Sequence, residues 1–256
     1  MSHVERQTFW KKFLAGFEDT SDWPSSTSEQ ENLQASQAQS QRINSAKVKE
    51  LLERARKAGI PPSQAFVGAD LSGAELQGMN FLGFNLSGAN LSKADLSEAK
   101  LRFANLNDAN LSSANLSGTD LREAELCSTN LSSADLTDVD LSSANLSSGD
   151  LTFADLSYAN LTNANLSHAD LSYANLSGVF MENADLSGAN LNGADLNNAY
   201  LIGVKMSDTN LSNVAVRKAQ FGENVDLPDE TKLDLKRKGA IFLDSPGDRS
   251  QVMTLP

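Results

Sequence analysis

The chain carries 33 Asp and Glu, two His and one Cys as groups able to do acid–base, metal or nucleophilic chemistry. Their spacing assembles none of these. His3 and His168 lie too far apart in sequence for a local ligand pair, and the single Cys127 excludes an intrachain disulfide and a Cys-rich zinc site. There is no P-loop, no HExxH, no GxGxxG in a strand–turn–helix setting and no nucleophile–base pair. The expectation is therefore a chain with no catalytic residue, no metal and no cofactor, and not an enzyme. The acids instead recur beside Leu, as in Asp70-Leu71 and Asp135-Leu136. An outward carboxylate or amide at such a position is expected to hydrogen-bond nearby backbone or water. The formal charge of −12 repels nucleic acid and anionic head groups at long range and favours basic partners, so no direct nucleic-acid binding is expected.

The positioning element is a repeat. From Ala69 the chain repeats every five residues, as in Ala69-Asp70-Leu71-Ser72-Gly73 and Ala89-Asn90-Leu91-Ser92-Lys93. With the Leu position called i, thirty-one consecutive i positions run from Leu71 to Phe221 without an insertion, and twenty-six are Leu. At i−2, twenty-one of the thirty-one are Ala, so the space there is small. Residues two apart in extended backbone point the same way, so i−2 and i face inward and i−1 outward. Positions i+1 and i+2 are mostly Ser, Thr, Asn, Asp or Gly, which is turn chemistry. Each pentad is thus a short strand plus a corner, and a chain that turns a corner every five residues must wind into a solenoid. A helix fails, because a period of five places successive Leu about 140° apart and leaves no stripe. Leu71, Leu91, Leu111, Leu131, Leu151, Leu171 and Leu191 are expected in the structural core. Aromatic spacing leaves the coil size open: Phe153/Tyr173 and Phe180/Tyr200 suggest 20 residues, whereas Tyr158/Tyr173 fits 15.

The A(D/N)LXX motif over residues 69–223 resembles the pentapeptide-repeat family. The resemblance implies an all-β fold, a right-handed quadrilateral β-helix with four pentads per coil, here finished by short α-helical caps. Residues 63–225 are then the β-helix. Residues 44–62 form an N-terminal capping helix, with Ser45 as N-cap of Ala46–Ala58 and Gly59 followed by Pro61-Pro62 as its stop. Residues 226–244 form a C-terminal cap, with Ile241 returning in the original phase modulo five, and 245–256 a flexible tail. Residues 19–43, rich in Ser, Gln and acids, form a flexible linker. Residues 1–18 form an amphipathic helix with Phe9, Trp10, Phe13, Leu14 and Phe17 on one face, able to dock on the solenoid, on a partner or weakly on a membrane surface.

Residues 69–223 hold 19 acidic and 7 basic side chains, so the repeat carries the whole charge imbalance. If the coil has four sides, Glu75, Asp95, Glu98, Asp135, Asp138, Asp155 and Asp195 share one side as a candidate interaction stripe, opposed only by Arg217 and Lys218 at its far end. His168 and Cys127 fall at corners and are expected to be functionally silent. These features lead to a non-catalytic scaffold or protein–protein interaction module with an unidentified protein partner, in the cytoplasm. The alternative implied by the resemblance is a DNA-mimicking modulator of DNA gyrase, a type II topoisomerase.

Overall fold

The computed structural model describes residues 48, 50–222 and 227–243, and the chain divides into two compact units, Met1–Ala65 and Phe66–Pro256. In the first, residues 50–58 are helical (α1), with Val48, Leu52 and Ala55 on one buried face. The helix stops at Gly59, whose φ of 72° is left-handed. The Ile60 amide then reaches the Ala55 carbonyl at 2.9 Å and the Gly59 amide that of Arg56 at 3.1 Å, an arrangement that consumes terminal carbonyls. A single 3-10 turn, Pro62–Gln64, follows. Ser45 and residues 1–47 lie outside the described residues.

The second unit is a β-helical solenoid. Parallel bridges join residues twenty apart without exception from Asp70↔Asn90 to Asp195↔Ala215, so each coil takes four pentads. This settles the coil size that aromatic spacing left open. The extended part of most pentads is shorter than the expected strand. It is one bridging residue at i−1, and among the described residues longer pairing occurs only in the parallel sheet of β1 (Tyr200–Ile202), β2 (Gln220–Gly222) and β3 (Ile241–Phe242). The remainder of each pentad is corner. Every i+2 residue from Gly73 to Lys218 has positive φ, and the non-glycine ones cluster between 55° and 63°.

Inside, the Leu column from Leu71 to Leu191 is at most 1% exposed, and Ala at i−2 lets the walls approach. Two exceptions at i−2 are polar and buried. Thr119 and Thr129 donate from Oγ1 to the carbonyls of Leu96 and Leu106 at 2.8 Å, so neither hydroxyl is left unpaired. The first coil is filled differently, by Phe66, Phe81 and Phe84 with ring centroids 5.7–5.8 Å apart.

At the other end, α2 (Asp229–Arg237) has Asp229 and Glu230 in its first turn and Lys236 and Arg237 in its last, matching the helix dipole. The strand that follows departs from the expected phase. Ile241 pairs with Gln220, and Phe242 takes the inward slot beside Phe221, their rings stacked at 5.0 Å. The segment carrying α2 is not a multiple of five residues, and a one-residue slip exchanges the faces, leaving Ile241 44% exposed.

Leu131→Ala removes a mid-column side chain and is expected to lower stability by about 2–5 kcal/mol. Leu211→Ala, at a half-buried position of the last coil, should cost much less. Urea unfolding followed by circular dichroism compares the two.

Candidate interaction surface

The outward residue at i−1 does more than face water. In Ala89-Asn90-Leu91-Ser92-Lys93, the Leu91 and Lys93 amides donate to Asn110 and Ser112 of the next coil, at 2.7 and 2.9 Å. The Asn90 amide donates back to Ala69 at 2.9 Å, and the Ala89 amide closes the previous corner on Leu86 at 3.0 Å. The fifth amide, of Ser92, has only the Asn90 side chain, and donates to its Oδ1 at 3.2 Å. The same two-residue link recurs at Asp95, Asp135, Asp155 and Asp195, which accept from the amides of Ser97, Thr137, Ser157 and Asn197. Where i−1 is Glu125 or Ala215 the link cannot form. The orphaned amides of Cys127 and Arg217 then donate to Asn107 and Asn197 one coil back, both at 2.7 Å. The signal for those two acceptors is in the sequence, as an Asn twenty residues before an i+1 residue that lacks its own Asn or Asp.

Four faces follow from the twenty-residue register. Glu75, Asp95, Asp135, Asp155 and Asp195 fall in the bridging column of the second face, with Glu98 and Asp138 at the corner that ends it, so the structure brings the seven stripe residues together. Elsewhere Asp120, Glu123, Asp140 and Asp185 are paired with cations, whereas among the described residues Asp150 and Asp170 of the first face and Glu125 of the fourth are not. On the third face Arg122 binds Asp120 through two nitrogens at 2.7 Å and lies 3.7 Å from Asp140, and Arg102 pairs with Glu123. On the fourth, Lys205 lies 3.2 Å from Asp185. Among the described residues, Asp135, Asp138, Asp155 and Asp195 have no ion-pair partner. Asp135, Asp155 and Asp195 spend Oδ1 on the turn and leave Oδ2 to the outside.

Aromatic residues stand at the two corners bounding this face. Phe153 and Tyr173 stack at 5.2 Å and 8° on one, Tyr158 stands at the other, and all three are 56–65% exposed. Glycines make room for their lean toward the next coil: a methyl group at Gly178 would come within 2.8 Å of the Tyr158 ring, and one at Gly193 within 2.7 Å of Tyr173. His168 lies in the same way over Gly188. The half-buried Cys127 has its Sγ 3.3 Å from the Ser147 Oγ. Among the described residues no group of three or more His, Cys, Asp and Glu is placed to hold a metal ion, and no helix is long and apolar enough to cross a membrane. Phe9, Trp10, Phe13, Leu14 and Phe17 lie outside the described residues.

A four-pentad coil with Leu inside, an Asn or Asp at most bridges and a left-handed corner defines a β-helical repeat protein. The chain belongs to the pentapeptide-repeat family, whose repeats match residues 66–102, 104–142, 144–183 and 181–215 in eight copies. Among solved structures it is similar to HetL, a pentapeptide repeat protein involved in heterocyst differentiation regulation from the cyanobacterium Nostoc sp. strain PCC 7120. The identity is 32%, over 67% of this chain and 82% of HetL, with a TM-score of 0.47. It is also similar to Rfr23 from the cyanobacterium Cyanothece 51142, at 27% identity over 59% and 86% of the two chains and a TM-score of 0.24. QnrB1, a plasmid-mediated fluoroquinolone resistance protein, aligns at 19% identity over 73% of this chain and 93% of its own, with a TM-score of 0.49. No curated protein matches the chain.

The turn role of the carboxylates separates two substitutions. Asp155→Ala orphans the Ser157 amide and should cost about 1–3 kcal/mol, whereas Asp155→Asn keeps an Oδ1 acceptor and should stay within about 0.5 kcal/mol of wild type; urea midpoints read both. Acid titration provides a further check. The Arg122 hydrogen bond holds Asp120 below the ordinary carboxylate range. For Asp155 and Asp185 burial pushes upward, but hydrogen bonds from Ser157 and Asn175, and from Ser187 and Lys205, more than offset it. Folded values below the unfolded ones mean stability that is present above the ordinary carboxylate pKa and lost as pH falls through the depressed folded values. The triple variant Asp120→Asn, Asp155→Asn, Asp185→Asn should therefore show a shallower fall of its urea midpoint between about pH 5 and 2 than wild type.

Proposed function

We propose that this protein is a non-catalytic scaffold, a right-handed four-sided solenoid in the cytoplasm whose second face binds a basic protein partner. The hand is the one favoured for parallel β crossovers, and a chain with one cysteine suits a reducing compartment. The observation that carries the reading is a column of carboxylates bordered by exposed rings: among the described residues Asp135, Asp138, Asp155 and Asp195 have no ion-pair partner, whereas Asp120, Glu123, Asp140 and Asp185 of the third and fourth faces are paired within the chain. Folding does not require their charge. Asn115 and Asn175 occupy the same column, and Asn175 accepts the Ser177 amide on Oδ1 at 3.1 Å as an Asp would. We also propose the segment of Phe9, Trp10, Phe13, Leu14 and Phe17 as a second recruiting element.

Duplex mimicry toward DNA gyrase is less well supported. The seven acids of the stripe spread over seven coils at about 4.8 Å each, roughly one charge per 5 Å, against one per about 3.4 Å along a single DNA strand, so this face is the sparser of the two.

The test neutralises the face without touching the turns. In Asp95→Asn, Asp135→Asn, Asp155→Asn, Asp195→Asn each side chain still accepts the i+1 amide, so circular dichroism and the urea midpoint should be little changed. Proteins captured from native extract by the full chain at low salt should be lost from the variant. Retention of the same proteins by both would reject the acidic face as the binding surface, and inhibition of gyrase supercoiling by wild type alone would favour the mimicry reading.

A further inference from the structure

We propose that the second face recognises arginine side chains in particular, held between Tyr158, the Phe153/Tyr173 stack and the carboxylates beside them; the proposal rests on the acidic-face reading above and names the chemistry of its partner. The chain supplies its own example of the arrangement. At the third corner Arg102 lies over the Phe103 ring, 4.5 Å from its centroid, and pairs with Glu123 one coil further on. An aromatic residue at i+2, a carboxylate one coil away and a guanidinium between them thus form a complete set there. The second corner has two parts of that set. Tyr158 follows Asp138 one coil on, and Asp135 and Asp155 stand in the adjoining bridging column with Oδ2 free. The guanidinium is the missing part. No Lys or Arg occupies the second face or its two corners between Lys93 and Arg217, so this chain does not provide one there.

The aromatic residues are also poorly explained by folding. A left-handed corner suits Gly, Asn and Asp, and costs a bulky side chain roughly 1–2 kcal/mol. Phe153, Tyr158 and Tyr173 accept φ of 59–60° and remain 64%, 65% and 56% exposed, so little burial compensates. Phe153 gains from stacking on Tyr173, but Tyr158 has no aromatic neighbour and lies over the bare backbone of Gly178. Exposed ring faces beside unpaired carboxylates favour a planar cation, which can stack on a ring while its N–H groups reach an oxygen in plane. Arg meets both requirements, whereas Lys, a compact and strongly hydrated charge, satisfies only the electrostatic one.

The full chain should therefore bind a fluorescein-labelled nine-residue peptide of alternating Arg and Gly more tightly than the matching Lys/Gly peptide, and should not bind the citrulline/Gly peptide, measured by anisotropy at low salt. Tyr158→Ser, and Phe153→Ser with Tyr173→Ser, should each weaken the Arg peptide by roughly two- to fivefold and leave the Lys peptide nearly unchanged. Phe103→Ser, where Arg102 already occupies the ring, should change neither. Serine is a native corner residue at Ser113 and Ser133, so these variants should fold, and their circular dichroism reports it. Equal affinity for Arg and Lys peptides, unaffected by the ring variants, would overturn arginine recognition and leave the acidic face binding by charge alone. No binding of either peptide would overturn both.

Discussion

Everything in this molecule depends on satisfying five backbone amides at every corner. A chain that turns each fifth residue cannot pair all its amides within one plane, and an unpaired buried amide costs about as much as a lost hydrogen bond. Four amides go to neighbouring coils or to the preceding turn, and the fifth is met at most corners by an Asn or Asp side chain two residues back, and at Cys127 and Arg217 by an Asn one coil back. That solution fixes the sequence outside the core. It favours a short acceptor at i−1 and requires a left-handed residue at i+2. The Leu and Ala interior then follows as the filling of a tube whose wall is set by its own hydrogen bonds.

The interior was therefore the most legible part of the sequence. Inward Leu and Ala at every fifth residue are apolar and strictly periodic, and both the solenoid and its buried Leu interior can be read from them. The coil length was not legible, because Leu repeats at five and nothing apolar repeats at twenty. Pairs such as Phe153/Tyr173 mark the longer period only because rings stack across one coil, and Tyr158, on a different corner from Tyr173, fits a wrong period equally well. The phase of the last strand was illegible for a different reason. The register of Ile241–Phe242 depends on how many residues α2 and its connections consume, and no periodicity crosses that segment.

On the surface, the sorting of acids into one stripe needed only the four-fold count, and the column of Glu75, Asp95, Asp135, Asp155 and Asp195 follows once that is granted. Which acids of the other faces are neutralised could not be read. Arg122 is next to Leu121 in sequence, and only its direction brings Asp120 and Asp140 within reach of one guanidinium. The substitution of Asn107 for a missing acceptor at Glu125 is similarly invisible until residues twenty apart are known to be neighbours.

The choice between Asp and Asn in the bridging column bears on why the charge is there. Both supply the Oδ1 that the corner needs, so a column of Asn would fold, and several such Asn form amide ladders of their own, as Asn145–Asn165 does at 3.1 Å. The second face sets Asp135 directly against Asp155 and Glu75 against Asp95 across parallel bridges, as the first face sets Asp150 against Asp170, and like charges in that relation are destabilising. Solubility alone does not call for this. A rod is kept dispersed by net charge wherever the charge sits, and carboxylates interleaved with the cations of the other faces would achieve it without mutual repulsion. A face that concentrates carboxylates, among them Asp135, Asp155 and Asp195 without ion-pair partners, and borders them with exposed rings is electrostatically complementary to a positive surface laid against it.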